Sequence, residues 1–148
     1  MKKALPKIVL GIVLVCVAAV RFLMNPENKQ DLSFLNYKNL VSVAAQSDTL
    51  PAYNSEVECS YIIDGSQLAQ FLDTADWTAQ TGCARSVQRD TEQNSKSSIQ
   101  IKLDGIYLKI FDIDTANIYD EATGKDRYYQ MSDGDYEKVF VLLSQDTN

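Results

Sequence analysis

The sequence predicts an α+β fold: an antiparallel β-meander with two amphipathic helices packed on one face, preceded by an N-terminal hydrophobic helix. One hairpin and two helical stripes carry the prediction. In "SSIQIKLDGIYLKIF", Ile99, Ile101 and Leu103 alternate with polar residues, Asp104-Gly105 follows, and Ile106, Leu108 and Ile110 alternate again. Asp-Gly supplies the positive φ angles of a type I′ turn, whose twist suits two antiparallel strands. The implied register sets Leu103 opposite Ile106, Ile101 opposite Leu108 and Ile99 opposite Ile110. All six apolar side chains then share one face, and Gln100, Lys102, Tyr107 and Lys109 share the other. A sheet with one apolar face needs a cover.

Two stripes are suited to provide it. "DGSQLAQFLDTADW" brings Leu68, Phe71 and Leu72 together at helical spacing, with Asp64 or Ser66 as cap. "SDGDYEKVFVLL" starts with Ser132 and Asp133 as caps and repeats Tyr136, Val139, Phe140 and Leu143 on one side. Further strands are predicted at Ser60 to Ile63, Ala84 to Gln88, Ala116 to Tyr119 and Arg127 to Met131, with "DEATGKD" as the loop joining the last two. After Ile110 the apolar parity flips to Phe111 and Ile113. A regular strand would then carry Asp112 and Asp114 into the core, so a bulge or turn is expected near Asp112.

The chain begins "MKKALPKIVLGIVLVCVAAVRFLMN". Lys2, Lys3 and Lys7 precede an uncharged run from Ile8 to Val20 that Arg21 closes. The run alone is shorter than the roughly 20 residues a spanning helix needs, but extending it from Leu5 to Met24, with Lys7 and Arg21 reaching toward headgroups, gives a sufficient span. Residues 1–24 are therefore expected to be a signal anchor, and the alternative is a signal peptide cleaved after the small pair Val17 and Ala19. Lipid attachment at Cys16 is a third route, although Val15 is larger than a lipobox prefers. The lysines before the segment keep the N-terminus inside, so the expected location is the cell membrane, single-pass, with the C-terminal domain outside the cytoplasm. Cleavage would make the protein secreted. The short "MKK" start has a bacterial style.

Residues 25–56, rich in Asn, Ser and Asp and broken by Pro26 and Pro51, are expected to form a polar stalk, with a short helix after Asp31 carrying Leu32, Leu35 and Leu40. The extracytoplasmic domain is then 57–148. From Pro26 onward 10 basic residues face 20 acidic ones. This balance speaks against nucleic acid, which requires clustered Lys and Arg, and fits an acidic solvated surface.

The 148-residue chain has no histidine, which removes Ser-His and Cys-His nucleophiles and His-bearing zinc sites. No glycine-rich phosphate loop is present, and no cofactor is expected. Outside the leader, Cys59 and Cys83 flank the first predicted helix, and in an exported domain they are expected to form a disulfide closing a loop of about 25 residues, a link of roughly 3 kcal/mol. "DIDTANIYDE" gathers Asp112, Asp114, Asn117, Asp120 and Glu121; the carboxylates among them are candidate ligands for a hard cation. Tyrosine is concentrated in the last third, and Tyr107, Tyr129 and Lys109 are the candidate binding residues, because tyrosine buries much recognition area at low entropic cost. The reading is of a membrane-anchored binding module without catalysis, whose partner is another envelope or extracellular protein. The alternatives are a small-ligand or cation-binding domain, or a carboxylate-based hydrolase.

Overall fold

The computed structural model describes residues 33–81 and 84–145. The expected hydrophobic N-terminal helix, its orientation and Cys16 lie outside the described residues. Among the described residues, no helix is long and apolar enough to cross a membrane.

The architecture is α+β. Eight antiparallel strands form one sheet: β1 (Thr49–Asn54), β2 (Cys59–Asp64), β3 (Thr78–Ala79), β4 (Ser98–Leu103), β5 (Ile106–Phe111), β6 (Thr115–Asp120), β7 (Lys125–Gln130) and β8 (Leu143–Gln145), in the spatial order β3-β7-β6-β5-β4-β1-β2-β8. The helices are α1 (Leu40–Ala45), α2 (Gly65–Thr74), α3 (Ala84–Asn94) and α4 (Asp135–Leu142), and two 3-10 turns, Ser33–Leu35 and Tyr37–Asn39, precede α1.

The β4–β5 hairpin has the register its alternation dictates: Leu103 pairs with Ile106, Ile101 with Leu108 and Ile99 with Ile110. Asp104 and Gly105 both adopt positive φ, 42° and 81°, as a type I′ turn demands. Strand β5 ends at Phe111, and the turn expected near Asp112 follows. There the Asp112 carboxylate accepts from Ser95 Oγ at 2.8 Å and Lys96 N at 3.1 Å, while Asp114 takes φ 54°. The parity conflict is thus resolved by leaving the strand before a carboxylate reaches the core.

The core lies on one side of the sheet, where Leu50, Ala52, Ile63, Ile99, Ile101, Leu103, Leu108, Ile110, Ala116 and Ile118 meet helices α1, α2 and α4. Helix α2 forms within the expected stretch, with Asp64 Oδ1 accepting from Gln67 N at 2.9 Å as its N-cap and Leu68 and Leu72 fully buried. A second group of core contacts is aromatic. Tyr37 lies 4.8 Å from Trp77 and 5.3 Å from Tyr129, centroid to centroid, and its hydroxyl donates to Ala75 O and accepts from Trp77 N. Lys38 Nζ donates to the carbonyls of Leu72, Asp73 and Ala75, the free C-terminal end of α2.

Several expectations are corrected. The segment expected as stalk supplies α1, β1 and the buried residues Leu35, Tyr37, Leu40, Ala44 and Leu50; the compact unit starts at Leu32. Ala84 to Gln88 begins helix α3 instead of forming a strand; among the described side chains of this helix the inward positions are Val87 and Thr91, four apart. Helix α4 starts after Gly134 at φ 81° with no side-chain cap, so Ser132 and Asp133 do not have that role. Tyr136 and Val139 face inward, Phe140 is exposed, and Leu143 opens β8. Among the described residues four helices accompany the sheet, not two.

Candidate functional site

The second face of the sheet is polar, and the pairing registers divide it into rows. Ser98, Phe111, Thr115 and Gln130 form one row; Gln100, Lys109, Asn117 and Tyr128 form the next; Lys102, Tyr107, Tyr119 and Asp126 form the third. Phe111 and Thr115 in the first row are buried, as is Thr91 on α3, which packs against β7. Tyr128 lies beneath the same helix, and burial together with the charges of Asp126 and Glu92 pushes its pKa up to about 12. Helix α3 therefore covers one end of this face, and the other end stays open.

The open part holds a depression of about 350 Å³ lined by Gln100, Tyr107, Lys109, Asn117 and Tyr119. Tyr107 and Tyr119 are direct cross-strand partners, with ring centroids 6.3 Å apart at 41°. Asn117 forms the floor. It is 91% buried, and its Nδ2 donates to Asp126 Oδ2 at 3.0 Å. A carboxylate only accepts, so this bond fixes the amide and leaves Asn117 Oδ1 as a fixed acceptor toward the depression. Lys109 Nζ sits 5.0 Å above the Phe111 ring and makes no ion pair among the described residues. Lys102 lies against Tyr107, 5.3 Å from the ring centroid, and contact with the Tyr107 hydroxyl raises its pKa, with a smaller contribution from Glu121. The site thus offers one fixed acceptor, one unpaired cation, a free amide at Gln100 and two aromatic faces, all on strands held on both sides by backbone ladders.

No family model matches the chain, and no curated protein or solved structure shows significant similarity to it.

Of the residues singled out in the sequence, Tyr107 and Lys109 line the depression. Tyr129 does not join them: it points into the core, 3% exposed, and donates its hydroxyl to Leu35 O at 2.8 Å. Burial raises its pKa. The acidic residues separate as well. Asp112 and Asp114 precede β6, while Asp120 ends it and Glu121 follows, some ~20 Å away along an extended strand. Asp120 closes the β6–β7 turn by accepting from Ala122 N and Thr123 Oγ1. No group of three metal-ligating side chains occurs among the described residues. Cys59 is free, its Sγ donating to Ser60 O at 3.7 Å, and Cys83 lies outside the described residues, so no disulfide is present among those described.

The sequence reading placed Gln100 on the face of Tyr107 without making it a candidate, missed Tyr119 as the partner of Tyr107, and grouped Asn117 with the acidic residues. The signal was the turn expected at Asp112. Carrying the strand through that turn in hairpin register places Asn117 opposite Lys109 and Tyr119 opposite Tyr107. A second concavity, about 380 Å³, lies between α2 and α4 and is lined by Gln67, Gln70, Phe71, Thr74, Lys138 and Leu142. Its one cation, Lys138, is already paired with Asp135 at 2.8 Å.

Proposed function

We propose that the chain is a non-catalytic binding module, held at the cell membrane by its N-terminal segment with the folded domain outside the cytoplasm, and that the open half of the second sheet face is its binding surface. The observation that carries this reading is the Asn117 acceptor, fixed by Asp126 at the floor of a depression walled by Tyr107 and Tyr119. The bond to Asp126 orients the Asn117 amide in advance, so a ligand donor meets its acceptor oxygen without first reordering the side chain. Further support comes from the histidine-free composition and from the charge order around the hydrophobic leader. A second reading, in which the same face docks another envelope protein, is favoured by Tyr53 and Tyr119, which stand 43% and 38% exposed.

Crosslinked capture with tagged full-length chain from native membranes tests the proposal. The wild type is expected to retain a partner that Tyr107→Ala loses, with the two melting at the same temperature. Equal capture by wild type and variant would remove this face from consideration.

A further inference from the structure

The lining of the depression restricts what it can hold. Its five side chains are two tyrosines, two amides and a lysine, with no aliphatic group among them. Sites for apolar ligands are lined mainly by hydrophobic side chains, and the anchors that dominate protein interfaces are aromatic rings or arginine. An arginine would meet Lys109, and Lys102 lies nearby on the same face. An apolar anchor would leave Asn117 Oδ1 without a donor.

The ligand must therefore present a hydroxyl or N–H to Asn117 and an acceptor to Lys109, and it must also lay a carbon skeleton against two ring faces. Polarised C–H groups meet the electron-rich face of a tyrosine favourably. A pyranose ring combines these properties, since hydroxyls line its edge and axial C–H groups line its face. Charge decides between neutral and acidic sugars. In a chain with twice as many acidic as basic residues after the leader, Lys109 stands at this face with no carboxylate partner among the described residues. A ligand carboxylate would supply the missing counter-charge. The volume, about 350 Å³, is at the small end for a ligand site and fits one or two rings of a longer chain that continues across the open sheet.

We infer that the Gln100, Tyr107, Lys109, Asn117 and Tyr119 depression binds an acidic polysaccharide, a uronate-type pyranose chain, with a carboxylate at Lys109, a hydroxyl donating to Asn117 Oδ1, and ring faces on Tyr107 and Tyr119. The inference rests on the reading of this face as the binding surface.

Saturation-transfer NMR on the full-length chain in detergent micelles tests it, with trigalacturonate as probe and cellotriose and free galacturonate as comparisons. Transfer to the ring C–H protons of trigalacturonate is expected, with weaker binding of both comparison sugars. Lys109→Gln should weaken trigalacturonate about tenfold, equivalent to about 1.4 kcal/mol, and leave cellotriose unchanged. Tyr107→Ala should abolish transfer to all of them at an unchanged melting temperature. Absence of transfer to trigalacturonate, or transfer that survives Tyr107→Ala, overturns the inference. Cellotriose binding as tightly as trigalacturonate overturns the acidic assignment, and free galacturonate doing so overturns the polymer. If the trimer fails while Tyr107→Ala still loses the captured membrane partner, the saccharide falls and the binding face stands; if neither responds, both fall.

Discussion

Asp135 shows how a single carboxylate can be held inside this protein. It is 2% exposed, and its two oxygens accept from Trp77 Nε1 and Lys138 Nζ, each at 2.8 Å. Trp77→Phe preserves most of the aromatic packing and removes one donor. A destabilisation of about 1–3 kcal/mol is expected from urea unfolding, the cost of a buried acceptor left unsatisfied. Titration provides two further tests. Burial is the main cause that raises the pKa of Asp114, and the neighbouring Asp133, Glu137 and Asp135 add to it. Its native state thus holds a proton more tightly than its unfolded state, so ionisation weakens the fold as pH rises through and above 3.8. Asp114→Asn should raise the melting temperature slightly at neutral pH, since asparagine tolerates the left-handed φ of 54°, and the gain should vanish below the ordinary carboxylate value. Tyr128 acts at the other end of the scale. With its pKa at about 12 against 10.0 unfolded, the native state keeps a proton that the unfolded state loses, and stability should fall between those values. Tyr128→Phe should flatten that alkaline slope, and absorbance titration should show one fewer late-ionising tyrosine.

Helix α2 depends on one close approach. A Cβ on Gly65 would stand 1.9 Å from Ser47 O and 2.4 Å from Ala44 O, both backbone atoms at the end of α1. Gly65→Ala must push the two helices apart, and a loss of about 3 kcal/mol or more is expected in thermal unfolding, at the upper end of overpacking costs. This constraint is invisible in the sequence, where Gly65 stands between the two candidate caps Asp64 and Ser66. The legible elements were those whose local signals agreed with their tertiary roles: the β4–β5 hairpin, with its alternation and Asp-Gly turn, and α2, with its cap and stripe. Strand β1 failed that test. Its inward residues are Leu50, Ala52 and Asn54, small or polar, and Pro51 argues against an interior strand. The proline is tolerated because β1 pairs with β4 only over Ala52–Asn54, which leaves that side of Pro51 outside the ladder. The start of helix α3 reads as strand because, among its described side chains, Val87 is the one apolar position turned inward. Part of the candidate site was legible because Gln100, Tyr107 and Lys109 share one face of the clearest hairpin. Asn117 and Tyr119 were not, because the strand expected at Ala116 to Tyr119 had no register against the hairpin until the turn near Asp112 set it.

At the scale of the molecule, β1 joins two halves of the sheet that the sequence would have separated. It pairs with β2 over six positions on one side and with β4 over three on the other. Without it, β2 and β8 have no connection to the β4–β7 meander through backbone bonds, and Ile99 and Ile101 lose cover from Leu50 and Ala52. A fragment starting at Val57, the boundary suggested by composition, also lacks Tyr37, whose hydroxyl bridges Ala75 O and Trp77 N, and Leu35, whose carbonyl holds Tyr129. It loses five buried apolar side chains before β1's own Ala52 is counted, at about 1.5 kcal/mol or more for each large one. That sum approaches the whole stability of a domain this size. The fragment 57–148 is therefore expected to show no cooperative melt by circular dichroism, whereas a chain starting at Leu32 should unfold in a single transition. A cooperative transition in the shorter fragment would mean that the meander and its helices form a core independent of β1, and the open tyrosine face would then rest on the β4–β7 strands alone.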